Sequence, residues 1–139
     1  MTNKKSRIWT IGRHGDPYRT AIKLLFGYRI HIFWRGDKDE HCHDHPNDFW
    51  TFPFHRYVEL VWDGEKHKRN VVEPWKWHFR PAEYRHRLIG SAAPHYQGVF
   101  VTLVKEAPAR RPWGFWVPDI DKHAYRFVYW RRYLNGQES

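Results

Sequence analysis

The chain reads as an all-β protein, a small antiparallel sandwich or barrel with one short helix near the N-terminus and room for another near the C-terminus. Three observations lead there. Short segments rich in β-branched and aromatic residues, each bounded by Gly, Pro or Asp, follow one another through most of the 139 residues. Only one stretch carries both the punctuation and the periodicity of a helix. Strands and helices do not alternate, which argues against the parallel βαβ classes. The length fits one domain, 1–139, with a barrel core over about 28–117.

The helix is predicted over 17–26, within "DPYRTAIKLLFG". Asp16 suits the N-cap, Pro17 the first helical position and Gly27 the stop, while Tyr18, Ala21, Ile22 and Leu25 share one face at helical spacing. After Gly27 the period becomes two. "YRIHIFWRG" sets Tyr28, Ile30, Ile32 and Trp34 against Arg29, His31, Phe33 and Arg35. "FWTFPF", "RYVELVWDG", "KRNVVEPWKWHFRP", "EYRHRLIG", "GVFVTLVKE" and "WGFWV" continue the strand series. Pro53 and Pro74 interrupt two of these runs and mark a bend, a bulge or an edge. The tail has room for a last short helix around Tyr125–Leu134, although Phe127, Val128, Tyr129 and Trp130 are poor helix formers.

Composition narrows the class further. With 41% hydrophobic and 19% aromatic residues the chain is a folded one, and nine tryptophans imply wide apolar surfaces. A net charge of +9 favours anionic partners, nucleic acid among them. The basic residues are dispersed, with short clusters at Lys4–Lys5, Arg110–Arg111 and Arg131–Arg132, so a solvated basic surface is the simpler reading. No apolar run has the length of a membrane span, and "MTNKKSRIWT" lacks the apolar core of a secretory signal. A single cysteine forms no internal disulfide, which points to a reducing, cytoplasmic setting. Cys42 itself reads as a small buried hydrophobe.

Residues 41–50, "HCHDHPNDFW", hold the chemistry. In an extended segment His41, His43 and His45 point one way, with Cys42 and Asp44 behind them. Two neutral imidazoles along a strand chelate a divalent ion when a third ligand closes from another strand, and His86 in "FRPAEYRHRL" is placed to do so. Asp48 is the nearest candidate carboxylate. Imidazoles suit iron, zinc or nickel, and an added carboxylate extends the choice to manganese. The remaining histidines, among them His31, His55, His67, His78, His95 and His123, read as structural or surface groups.

These residues resemble the cupin superfamily. "HDHPNDFW" looks like its first motif, His-x-His followed by a glutamate, and "RPAEYRHRL" like the second, with its lone histidine. The order of features over 17–117 is also similar to small cupin-like proteins of bacteria and phages. Where the family has its glutamate this chain has Phe49 and Trp50, so Asp48 or His41 would have to complete the set, or three histidines suffice. The resemblance implies a divalent metal at a barrel mouth lined with aromatics, a small-molecule ligand and a homodimer. Metal-dependent dioxygenase chemistry fits iron, and isomerase or hydrolytic chemistry fits zinc or manganese. Arg80 and Arg87, with Trp50, are placed to hold an anionic substrate. Glu59 reads as a solvent-facing strand residue in preference to a pocket group. A nucleic-acid-binding accessory protein and a non-catalytic ligand-binding cupin are the alternatives.

Overall fold

Eleven strands, a 3₁₀ turn at Ile120–Lys122 and one short α-helix are found in the computed structural model, which describes residues 7–13, 15–37, 41–91, 99–122 and 124–134. The strands are β1 (Ile8–Arg13), β2 (Asp16–Lys23), β3 (Tyr28–Phe33), β4 (Phe49–Pro53), β5 (Tyr57–Trp62), β6 (His67–Val72), β7 (His78–Arg80), β8 (Arg85–Ser91), β9 (Phe100–Glu106), β10 (Gly114–Asp119) and β11 (Ala124–Tyr129), followed by α1 (Trp130–Leu134). One sheet has the order β1-β2-β3-β9-β4-β7. Facing it are β6-β5-β8 and the β10-β11 pair. Every pairing is antiparallel.

The two layers meet over a core of Phe33, Tyr57, Val72, Leu88 and Phe100. Phe100 is sandwiched between Phe33, with ring centroids 4.7 Å apart, and Tyr57, at 4.6 Å. Burying each such ring stabilises the fold by about 1.5–3 kcal/mol. A second cluster of Phe115, Val117 and Val128 is capped by α1, where Tyr133 stacks on Phe115 at 3.7 Å and Trp130 on Trp113 at 5.6 Å.

The segment predicted as an N-terminal helix is a strand. Residues Asp16–Lys23 form β2, paired on both sides, and the chain turns at Phe26 and Gly27, both at positive φ. The reason lies in what faces inward. Arg19 and Ala21 occupy the inner positions of β2, so the strand shows no apolar alternation, while Asp16, Pro17 and Gly27 imitate helix punctuation. Tertiary pairing overrides those local signals. At the other end the expected helix is confined to Trp130–Leu134, because Ala124–Tyr129 is taken into β11. The strand-like runs from Tyr28 to Val117 are strands, and β1 and β11 add to them.

Candidate metal centre

Residues 42–45 thread between β8 and β10 and join the two parts of the second layer. His43 exchanges backbone hydrogen bonds with His86, at 2.9 and 3.0 Å. Asp44 N donates to Gly114 O, Trp116 N to Cys42 O, and His45 N to Ala82 O. Alternation then sorts the side chains. Cys42 and Asp44 turn away and are buried, while His43 and His45 turn toward His86. Asp44 anchors this segment by accepting from Gly114 N at 2.8 Å and Trp116 Nε1 at 3.1 Å, with Arg111 at 3.1 Å. A side chain at position 114 would run into the Val128 carbonyl, so the close approach requires glycine there.

The ligand atoms of His43, His45 and His86 lie within 4.8 Å of one another. His45 Nε2 and His86 Nε2 are 3.2 Å apart. Two nitrogens each about 2.1 Å from one ion stand about 3.0 Å apart at a right angle and about 3.4 Å apart at the tetrahedral angle, and the observed spacing falls between. Behind His86, Glu59 Oε2 sits 2.7 Å from Nδ1. With the carboxylate accepting there, Nδ1 carries the proton and Nε2 presents its lone pair to the triad, as in the carboxylate–histidine pairs that orient metal ligands. Glu59 is fully buried, with 0% exposure, and its other oxygen accepts from Arg80 Nη2 and Asn70 Nδ2, each at 3.0 Å, and from the Tyr84 hydroxyl. Asp37 lies behind His43, 3.9 Å from Nδ1, and accepts from Leu88 N at 2.7 Å.

Electrostatics suit ligation. Burial, then the neighbouring His86, pulls His43 down to about 4. Burial with His86 and His43 holds His45 well below the usual imidazole range. Both rings are therefore unprotonated at neutral pH, the form a metal requires. Burial alone would raise the Glu59 carboxyl. The hydrogen bond from His86 and the charge of Arg80 outweigh it, holding Glu59 down at about 2.

The other predicted residues are placed elsewhere. Asp48 lies outside the triad group, and its Oδ1 accepts from Ala82 N at 2.8 Å and from Arg110 Nη2 at 2.9 Å. It pins the 46–48 turn to the 81–83 turn. Arg80 turns to Glu59 and lies over the Tyr84 ring. Arg87 alternates with His86 and Leu88, so it emerges from the opposite face of β8. Trp50 is 36% exposed on the outer face of β4, against Phe79, whereas its neighbour Phe49 contacts the His45 ring at 4.7 Å. His41 packs edge-on against Tyr133, outside the triad group. Cys42 is buried as expected, and burial raises its thiol to about 11. His95 and His123 lie outside the described residues.

Glu59 reverses the sequence expectation of a solvent-facing strand residue. A signal for it was present: in "YVELVW" an acid interrupts an otherwise apolar run, and such a charge is buried only when paired. Its partners Tyr84 and Asn70, and Asp37 behind His43, carried no comparable signal.

Comparison of the sequence with protein-family models and with curated proteins finds no match. Among solved structures, iron(II) HppE with the alternative substrate (S)-1-HPP is similar at 12% identity, with 77% of this chain and 58% of that chain covered and a TM-score of 0.55. Hydroxypropylphosphonic acid epoxidase from S. wedmorenis is similar at 10% identity over 72% of this chain and 55% of that one, with a TM-score of 0.52. The chain spans less than two-thirds of either protein. The likeness shows the fold, an antiparallel β-sheet architecture shared with these proteins, in which most of the described residues lie in strands. The triad of His43, His45 and His86 has a geometry that could hold a metal ion. No helix among the described residues is long and apolar enough to cross a membrane.

Proposed function

We propose that this chain binds one divalent metal ion through His43, His45 and His86 and acts on, or holds, a small molecule beside it. The observation that carries this reading is the convergence of three imidazoles, two of them depressed in basicity, with a buried carboxylate oriented behind the third. A bound ion would supply Lewis-acid polarisation or, as iron(II), redox chemistry of the dioxygenase type. The chain's own contribution is positional. Glu59 selects the His86 tautomer, Arg80, Asn70 and Tyr84 hold Glu59, and Phe49 and Trp113 flank the rings. An all-imidazole set suits iron, zinc or nickel better than manganese, and the fold likeness to an iron(II) protein makes iron the first to test.

Elemental analysis of untagged protein, purified without added metal, tests the reading directly. One equivalent per chain is expected. A wild-type chain that binds no divalent ion at any pH ends it.

The same reading includes a cytoplasmic setting, in keeping with a buried free Cys42, and pairing of two copies. Support for pairing comes from the outer face of β4 and β7 and the turn before β7, where Trp50, Trp75, Trp77 and Phe79 are exposed, Trp75 to 66%. Light scattering should give a dimer. With Lys76 beside those rings and a charge of +9, the competing occupant is single-stranded nucleic acid. Salt-dependent binding of an oligonucleotide by a monomeric chain would assign the face to nucleic acid instead.

A further inference from the structure

The barrel interior holds a second polar group, away from the Glu59 cluster. Ala21 of β2 pairs with His31 of β3, and His31 with Thr102 of β9, all three facing inward and buried, His31 to 5% exposure. Arg19 is on the same face as Ala21, a diagonal neighbour of His31. Arg19 Nε and His31 Nε2 are both buried and have no hydrogen-bond partner among the described residues.

A cation in that position calls for a counter-charge, because burying a guanidinium without one is costly. Among the described residues, no acid forms an ion pair with it. Glu106 and Asp37 act on Arg19 through space, yet Glu106 is engaged by Arg29 at 3.3 Å and by Asn47, and Asp37 by the Leu88 amide. Inner-face contacts lead from His31 to the triad: Thr102 beside it bonds the Thr51 hydroxyl of β4, and Phe49, on the same face of β4, contacts the His45 ring. The inner faces of β2, β3, β9 and β4 thus run from the Arg19–His31 pair toward the triad.

We propose that Arg19 and His31 form an oxyanion site inside the barrel, which receives the carboxylate, phosphonate or phosphate group of the small molecule. Arg19 supplies planar paired N–H donors and the charge, and His31 Nε2 a further donor from the adjacent strand. That the other end of this molecule faces the triad rests on the metal reading above. Anion binding itself does not.

The test is thermal denaturation of the full chain, metal-loaded and chelator-treated, titrated with phosphate, methylphosphonate or acetate at constant ionic strength, with chloride as control. Stabilisation beyond chloride is expected in both forms. Arg19→Met should raise the half-saturating concentration at least about tenfold, the scale of one charge-assisted contact, and should melt no lower than wild type without the anion. Arg19→Lys, which keeps the charge and the fold but loses the paired donors, should weaken binding in the same direction, as should His31→Phe. Preference for phosphate and methylphosphonate, or for acetate, identifies the source of the oxyanion, and either supports the site. Equal responses of wild type and the Arg19 variants place the anion on the basic surface and overturn the proposal, as does a wild type indifferent to all three. Metal content measured on the same samples separates the two readings. One equivalent of metal without an anion response sinks the oxyanion site alone. An Arg19-dependent response without metal binding sinks the metal reading alone.

Discussion

Two acidic clusters flank the histidine triad, and they put the same chemistry to different use. Inside, Glu59 gathers His86, Arg80, Asn70 and Tyr84 at full burial. Outside, Asp48 and Glu83 share the half-exposed Arg110. Each holds a carboxylate low through hydrogen bonds to a basic side chain. The difference is the surroundings. Around Glu59 water does not compete, so every partner is needed and the orientation of His86 is fixed. Around Asp48 solvent screens the pair, which then serves only to tack two turns together. A carboxylate near a histidine motif in sequence is thus less informative than one near it in the interior.

The largest effect should come from the triad itself. His43→Ala, His45→Ala and His86→Ala are each expected to remove the metal equivalent, because two imidazoles make a far weaker site than three. Full metal content in all three variants would show that neither cluster flanks a metal centre.

Glu59→Gln comes next. It leaves Arg80 buried without its charge partner and frees the His86 tautomer, so a loss of about 3–5 kcal/mol in stability is expected, with metal affinity lowered about 10–100-fold. Urea unfolding and metal titration of the same variant check both. A variant as stable as wild type would place Glu59 on the same footing as Asp48.

Acid should act on the interior first. His43 has a folded value near 4 against an ordinary 6.5, so the unfolded chain takes up the proton sooner as pH falls. The stability of the metal-free chain is then complete above about 6.5 and falls toward pH 4, by on the order of 3 kcal/mol. Glu59, low in the folded chain at about 2 against 4.5, adds a further loss between about pH 4.5 and 2. Melting temperatures of chelator-treated protein should therefore drop from about pH 6.5 to pH 4. A flat profile contradicts burial of neutral His43.

Asp48→Asn should do least. Metal stoichiometry is expected to stay at one equivalent, with a small change in melting temperature that salt diminishes. Loss of the metal would bring a carboxylate into the ligand set and erase the contrast between the two clusters.

Much of this was legible in the chain alone. Period-two patterning gave the strands from Tyr28 to Val117, because a half-buried strand writes its two faces into alternate residues. The spacing of His43 and His45, and the turn at Pro81 before His86, likewise gave the triad, since residues two apart on an extended segment must share a face. Where local pattern and packing disagreed, packing decided. Asp16–Lys23 became a strand because β1 and β3 supply its hydrogen bonds, and its inward Arg19 hid the alternation. Glu59 entered the core because Asn70, Arg80, Tyr84 and His86 converge on it from β6, β7, β8 and the turn between the last two. Asp48 was drawn to the surface by Arg110, which lies 62 residues away in sequence. Alternation is a property of one strand and can be read along it. Which charges meet, and whether water stands between them, depends on contacts between distant strands, and only the folded barrel brings those together.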